Sequence, residues 1–152
     1  MIRRESRNAV MLQLDWTRID ALCDVMARTL SDRLGSFSEE AVIVAVSRGG
    51  LIPATLIAHR LGVRRVQSLG LMSYADGVEG EQGGLHRYGP LPERADLVID
   101  DIADSGKTAE AVRAIYPDAP MAALVDKTGG AAGVIAALER PAGEWVDFPW
   151  EQ

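Results

Sequence analysis

The stretch Leu97-Val98-Ile99-Asp100-Asp101-Ile102-Ala103-Asp104-Ser105-Gly106-Lys107-Thr108 decides the fold of this chain. Its apolar lead reads as a buried strand. Two adjacent carboxylates, Asp100 and Asp101, close that strand, and Asp104 follows three residues on. Ser105-Gly106-Lys107-Thr108 reads as a turn whose N–H groups open onto a helix N-terminus, a ready site for a phosphate group. Acids at the carboxyl end of a strand stand where the ligands of open α/β sheets bind. Carboxylates repel a phosphate, so their place beside this turn suits sugar hydroxyls or a hydrated Mg²⁺. The plainer alternative is an ordinary strand–turn–helix whose acids are solvated, with Asp104 as a helix cap. A nucleotide P-loop is excluded, because that pattern needs a glycine where Asp101 stands.

The rest of the chain builds the same frame outward. Residues 15–34 place Ile19, Leu22, Cys23, Met26, Leu30 and Leu34 on one face of an amphipathic helix, with Asp15 to cap its start and Gly35 its end. Ala41–Val46 is a continuous apolar run, best read as a buried parallel strand. A helix is expected over 51–61, starting near Pro53 and stopping at Gly62. Val66–Ser73 reads as a second strand, and 75–92 as a polar, Gly-rich hairpin or mobile loop. Leu97–Asp101 is the third strand, Thr108–Tyr116 a helix ended by Pro117 and Pro120, and Met121–Val125 the fourth strand. Alternating strands and helices predict an α/β domain, a central parallel sheet flanked by helices. No strand pattern is visible in Gly133–Arg140, and the chain closes on an aromatic tail, Trp145-Val146-Asp147-Phe148-Pro149-Trp150.

Composition narrows the function classes. The 152 residues suit one domain with a sizeable core. A net charge of −6 without a dense basic patch argues against nucleic-acid binding. No apolar run has membrane-spanning length, and Met1-Ile2-Arg3-Arg4-Glu5 lacks the apolar centre of a signal peptide. The single cysteine, Cys23, permits no internal disulfide and reads as a small core hydrophobe, so a cytoplasmic location is expected. His59 and His86 show no ligand spacing and read as surface residues, while Arg60 and Arg113 read as solvated helix-face cations.

A second loop agrees with the first. Ser47-Arg48-Gly49-Gly50 follows a strand and precedes a helix. Two glycines allow a ligand to approach the backbone, and Arg48 offers a planar fork of donors to phosphate oxygens. By itself the segment also reads as a tight turn with an exposed arginine.

The acidic strand and its loop resemble the phosphoribosyl-diphosphate (PRPP) motif of type I phosphoribosyltransferases. Within that family, Ala45–Pro53, Ile99-Asp100-Asp101, Asp104-Ser105-Gly106, Tyr116-Pro117, Asp126-Lys127 and Glu144–Trp150 are most similar to bacterial xanthine-guanine (6-oxopurine) enzymes, in one collinear order from about 12 to 150. The resemblance implies a single domain over 1–152, with a mobile lid loop at about 73–92 and a small C-terminal base-binding hood at about 127–152. It implies that Asp100 and Asp101 hold the ribose hydroxyls and that Asp104, Ser105, Gly106, Lys107 and Thr108 bind the 5′-phosphate. Ser47, Arg48, Gly49 and Gly50 would bind pyrophosphate, with a cis peptide bond between Ser47 and Arg48. Asp101 would take Mg²⁺ as the cofactor. Lys127 would donate to purine O6, Trp145 would stack on the base, and the Val146 carbonyl would read the 2-position. Asp104 would accept a proton near N7 as the catalytic residue, and Ser73-Tyr74 would open the lid. The implied reaction is purine salvage: transfer of phosphoribosyl from PRPP to N9 of guanine, xanthine or hypoxanthine. The implied assembly is a homodimer or homotetramer.

By residue type alone, Lys127 also reads as a solvated loop cation, and Trp145 and Trp150 as core or interface aromatics. The chain departs from the family in its lid, with Gly80 where an arginine is usual; His86, Arg87 and Arg94 are the candidate substitutes. Thr128-Gly129-Gly130 replaces the usual Pro-Ala-Gly. Two other functions stay open: a non-catalytic PRPP- or nucleotide-sensing regulatory protein of the same fold, and a phosphoribosyltransferase for another base.

Overall fold

The computed structural model describes residues 10–73 and 84–152. In chain order its elements are β1 (Met11–Gln13), α1 (Trp16–Leu34), β2 (Val42–Ser47), α2 (Leu51–Leu61), β3 (Arg65–Ser73), β4 (Leu85–Tyr88), β5 (Leu97–Ala103), α3 (Lys107–Ile115), β6 (Met121–Asp126), β7 (Ile135–Glu139) and β8 (Trp145–Asp147). A 3₁₀ turn, Pro149–Glu151, follows.

Six strands form one sheet in the order β4-β3-β2-β5-β6-β7. Pairs from β3 through β7 are parallel, and only the edge strand β4 runs antiparallel, so the expected parallel sheet carries one antiparallel edge. Alternation explains why the central strands are apolar up to their carboxyl ends. Ile43 and Ala45 of β2 join Leu97 and Ile99 of β5 in a core under α1 and α2. Val42, Val44 and Val46 join Val98 in a second core under α3. A sheet covered on both faces needs apolar residues at every position.

The helix punctuation follows the expected chemistry. Asp15 caps α1 by accepting from the Arg18 N–H at 2.8 Å, and Gly35 ends it at φ 77°. Gly62 ends α2 in the left-handed region. Two expected surface cations are instead committed. Arg60 ties α2 to α1 through Asp20 at 2.5 Å and Asp24 at 2.6 Å, and the Arg113 guanidinium donates to the Ala132 carbonyl. His59 and His86 are exposed, and Cys23 is buried, as read from the sequence.

The stretch 133–140 does contain a strand. Residues 135–139 form β7, which adds to β6 in parallel and packs on α1. Its half-buried edge position lets Ile-Ala-Ala-Leu-Glu serve without strong strand propensity. The aromatic tail is also ordered into structure: β8 pairs in parallel with β1, with Leu12 opposite Val146, and Phe148 stacks on Trp150 at 4.8 Å between ring centroids. The two ends of the described chain thereby make a small two-stranded layer beside the main sheet.

Strand order reverses between β2 and β5: the chain from β2 winds outward through α2 to β3, and from β5 outward through α3 to β6. Loops leaving the carboxyl ends of those two strands diverge to opposite faces and leave a crevice between them. The Ser47–Gly50 loop and the Asp100–Thr108 segment meet there.

Candidate active site

Asp100 and Asp101 end up buried side by side, at 7% and 8% relative exposure. Backbone donors hold both: the Asp101 N–H gives to Asp100 Oδ1 and the Ile102 N–H to Asp101 Oδ1, each at 2.8 Å. Burial, and next the Asp101 charge, push the Asp100 carboxyl well above the ordinary carboxylate range. Two adjacent buried carboxyl groups offer several oxygens to the hydroxyls of a vicinal diol.

The second loop closes on this pair. A Cβ at Gly49 would collide with the Asp101 carboxylate, and one at Gly50 would stand 2.5 Å from the Ile99 carbonyl and 2.6 Å from that of Val46. Both glycines are therefore required by close backbone approach. The Ser47–Arg48 peptide bond is cis, as the resemblance implied, and Arg48 projects into solvent.

A cavity of about 420 Å³ opens between these segments, walled by Ser47, Gly49, Ser73, Asp100, Asp101, Asp104, Ser105, Gly106 and Thr108. Gly106, at φ 84°, is the N-cap of α3 and brings no side-chain cap bond. The Lys107 N–H of the first turn donates to Ser105 Oγ at 3.4 Å, and this helix N-terminus borders the cavity, where it can receive an anion. Asp104 is not the helix cap. Its carboxylate pairs instead with Lys127 Nζ at 3.1 Å. Lys107 is exposed at the first turn of α3.

Lys127 is buried, at the end of β6, and its N–H continues the ladder to the Ala103 carbonyl. The segment after it is held by Asp126, a residue whose role the sequence did not reveal. Asp126 Oδ1 accepts from Thr128 N and Oγ1 at 2.8 and 2.6 Å, and Oδ2 from Gly130 N at 3.1 Å. These bonds to Thr128 and Gly130 organise the turn where the family usually has proline and alanine. Glu144 is buried nearby, gripped by Nε and Nη2 of the Arg140 guanidinium. Arg140 holds its carboxyl below the usual range, and Lys127 adds to that.

A second cavity of about 830 Å³ shares Gly49 and Asp101 with the first and is otherwise walled by Arg48, Leu51, Ile52, Trp145, Asp147 and the Trp150 turn. Trp145 is 63% exposed, which leaves a ring face open for stacking. The Val146 side chain is in the core. Trp145 N–H donates to the Val10 carbonyl and Leu14 N–H to the Asp147 carbonyl, so residues 145 and 147 spend their backbone groups on β1. By strand alternation the Val146 carbonyl points to the other side, away from β1.

The lid substitutes separate. Arg94 binds the Glu40 carbonyl and sits 3.6 Å from Asp96, at the opposite end of the sheet from the crevice. His86 lies opposite Met72, on the other sheet face from Ser73. Arg87 lies opposite Leu71, on the same face as Ser73, which lines the first cavity. Tyr74 and Gly80 fall outside the described residues.

A doubly wound sheet with paired acids and two glycine-bearing loops at its switch point defines the type I phosphoribosyltransferase class. The chain belongs to the phosphoribosyl transferase domain family, which it matches over residues 15–130, and is thereby a transferase. Solved structures agree. A purine phosphoribosyltransferase from Pyrococcus horikoshii is 28% identical, with 93% of this chain and 95% of that one covered at a TM-score of 0.68. The xanthine-guanine-hypoxanthine phosphoribosyltransferase of Helicobacter pylori shares the fold at 23% identity, 93% and 94% coverage and a TM-score of 0.72. A Neisseria gonorrhoeae hypothetical protein with bound ppGpp shares it at 18% identity, 97% and 92% coverage and a TM-score of 0.77. No described helix is long and apolar enough to cross a membrane.

Proposed function

We propose that this chain transfers the phosphoribosyl group of PRPP to N9 of a 6-oxopurine and releases pyrophosphate. The observation that carries the proposal is the seating of Asp101 on Gly49, which joins the diol-binding acids to the pyrophosphate loop across one crevice. PRPP is a ribose with phosphate at one end and pyrophosphate at the other. The crevice offers matching parts: a helix N-terminus at Gly106, a carboxyl pair in the middle, and the Ser47–Gly50 amides with Arg48.

The base is read by the Asp104–Lys127 pair. The O6/N7 edge of a 6-oxopurine presents an acceptor beside an N–H. An ammonium beside a carboxylate is its complement. A 6-aminopurine would turn a donor toward Lys127 and lose that bond. Asp104 then takes the N7 proton as N9 attacks the sugar carbon, and the bond to pyrophosphate breaks through a transition state of oxocarbenium character. The exposed ring of Trp145 holds the base plane, and the outward carbonyl of Val146 faces its 2-position.

Mg²⁺ fits the donor set, since it binds through one or two carboxylates and otherwise keeps water and phosphate oxygens. Asp101 would hold it, and when bound it would offset charge on the departing pyrophosphate. The reading also carries a homo-oligomer and a cytoplasmic setting as expectations of the family.

The test offers PRPP and Mg²⁺ with guanine, xanthine, hypoxanthine, adenine or uracil and separates the products chromatographically. Nucleoside monophosphate with the three 6-oxopurines alone, lost on chelation of Mg²⁺, supports the reading. Tight nucleotide binding without product from any base favours a sensing role. Product with uracil or adenine overturns the base assignment.

A further inference from the structure

Tyr88 lies on β4, opposite Gly70 of β3. A Cβ at position 70 would stand 2.7 and 2.8 Å from carbons of the Tyr88 ring. Glycine there makes the bed on which the ring lies across the strand. From that bed the phenol oxygen reaches Ser47 Oγ at 3.1 Å, at the point where β2 enters the pyrophosphate loop. Ser47 Oγ also lies 3.3 Å from the Leu69 carbonyl. A carbonyl only accepts, and a serine hydroxyl has one proton. That proton goes to Leu69, so the Tyr88 O–H is the donor to Ser47. Two partners on two strands therefore hold Ser47 in one rotamer.

We propose that Tyr88 is a positioning residue for the diphosphate half of the substrate, acting through Ser47 to hold the Ser47–Gly50 loop in its anion-receiving shape. The inference rests on the transferase reading of this site. The proton of Ser47 is committed, so an incoming phosphate meets the loop amides and Arg48 rather than this hydroxyl. The Tyr88 bond then sets where those amides stand. It also makes the antiparallel edge strand part of the scaffold of the site, although β4 contributes no acid or phosphate-loop residue to it. The sequence signal is slight: a small residue in β3 that leaves room for an aromatic whose partner is set only by register.

Tyr88→Phe keeps the ring over Gly70 and removes only the donor. Calorimetric titration with pyrophosphate and Mg²⁺ is carried out on the wild type, Tyr88→Phe, Ser47→Ala and the double variant, with KM measured for PRPP and for hypoxanthine. A neutral, partly exposed hydrogen bond predicts that Tyr88→Phe weakens pyrophosphate binding about two- to tenfold and raises KM for PRPP in step. KM for hypoxanthine and the thermal midpoint stay unchanged, and the double variant binds no more weakly than Ser47→Ala. Unchanged pyrophosphate affinity in Tyr88→Phe, or losses that add in the double variant, overturn the inference. A wild type that neither binds pyrophosphate nor forms nucleotide overturns the transferase reading and this inference together. Wild-type nucleotide formation with an unaltered Tyr88→Phe overturns this inference alone.

Discussion

Lys127 Nζ lies 3.1 Å from Asp104 Oδ1, yet the two side chains differ sharply in exposure, 7% against 68%. The buried ammonium needs its partner, while the solvated carboxylate does not. In the proposed reaction Asp104 would accept a substrate proton from its solvated side while staying beside Lys127. This asymmetry would suit the pair to the proposed role of reading one edge of a base and then accepting a proton from it.

Asp104→Asn keeps an oxygen beside Lys127 but cannot take a proton. Steady-state kinetics should show kcat lowered about 100-fold or more, with KM for PRPP little changed. Equal losses in kcat and in PRPP affinity would make Asp104 a binding residue instead.

Gly49→Ala places a methyl group into the Asp101 carboxylate. The acid or the loop must shift, and either shift would separate the proposed diol-binding and pyrophosphate-binding halves. PRPP binding, followed by calorimetry in the presence of Mg²⁺, should weaken by about 100-fold, the scale of a small misplacement at a reacting centre. Retained affinity would show that the two halves act separately.

Much of this architecture is legible in the sequence. The runs 42–46, 97–99 and 121–125 are uniformly apolar because both sheet faces are covered, and uniform runs are easy to read. Both glycine-bearing loops were legible because their geometry demands the residue type: close approach at Gly49 and Gly50, a positive φ at Gly106. β7 was not, because an Ala-rich edge strand has little pattern of its own. Nor were the partners of Arg60, Arg113, Asp126 and Tyr88. Arg60 meets residues 36 and 40 positions away, and Tyr88 meets one 41 away, separations on which local sequence is silent.

Glu144 ties stability to pH. Its folded carboxyl is held low, chiefly by Arg140, so the pair stabilises the fold above the ordinary glutamate range and loses that contribution as pH falls from that range through the lowered folded value. Thermal midpoints of the wild type and Glu144→Gln should differ at neutral pH and converge in acid. A gap that stays constant with pH would show that packing, not charge, is what Glu144 supplies.

Burial pushes the Cys23 thiol up to about 11. At neutral pH it is a protonated, enclosed thiol, so a thiol-reactive dye should label it only at the rate of unfolding. A raised thiol stabilises the fold below its unfolded range, and that contribution is lost as pH rises from about 9 toward about 11. Rapid labelling of the native protein at neutral pH would contradict the burial of α1 against the sheet.

The most direct measurement of the central claim is phosphorus NMR of PRPP with Mg²⁺ and the wild-type chain, before and after adding hypoxanthine. The PRPP diphosphate signals are expected to persist without base, then to convert to free pyrophosphate as a nucleotide monophosphate signal appears. Diphosphate signals that stay unchanged after the base is added would contradict it.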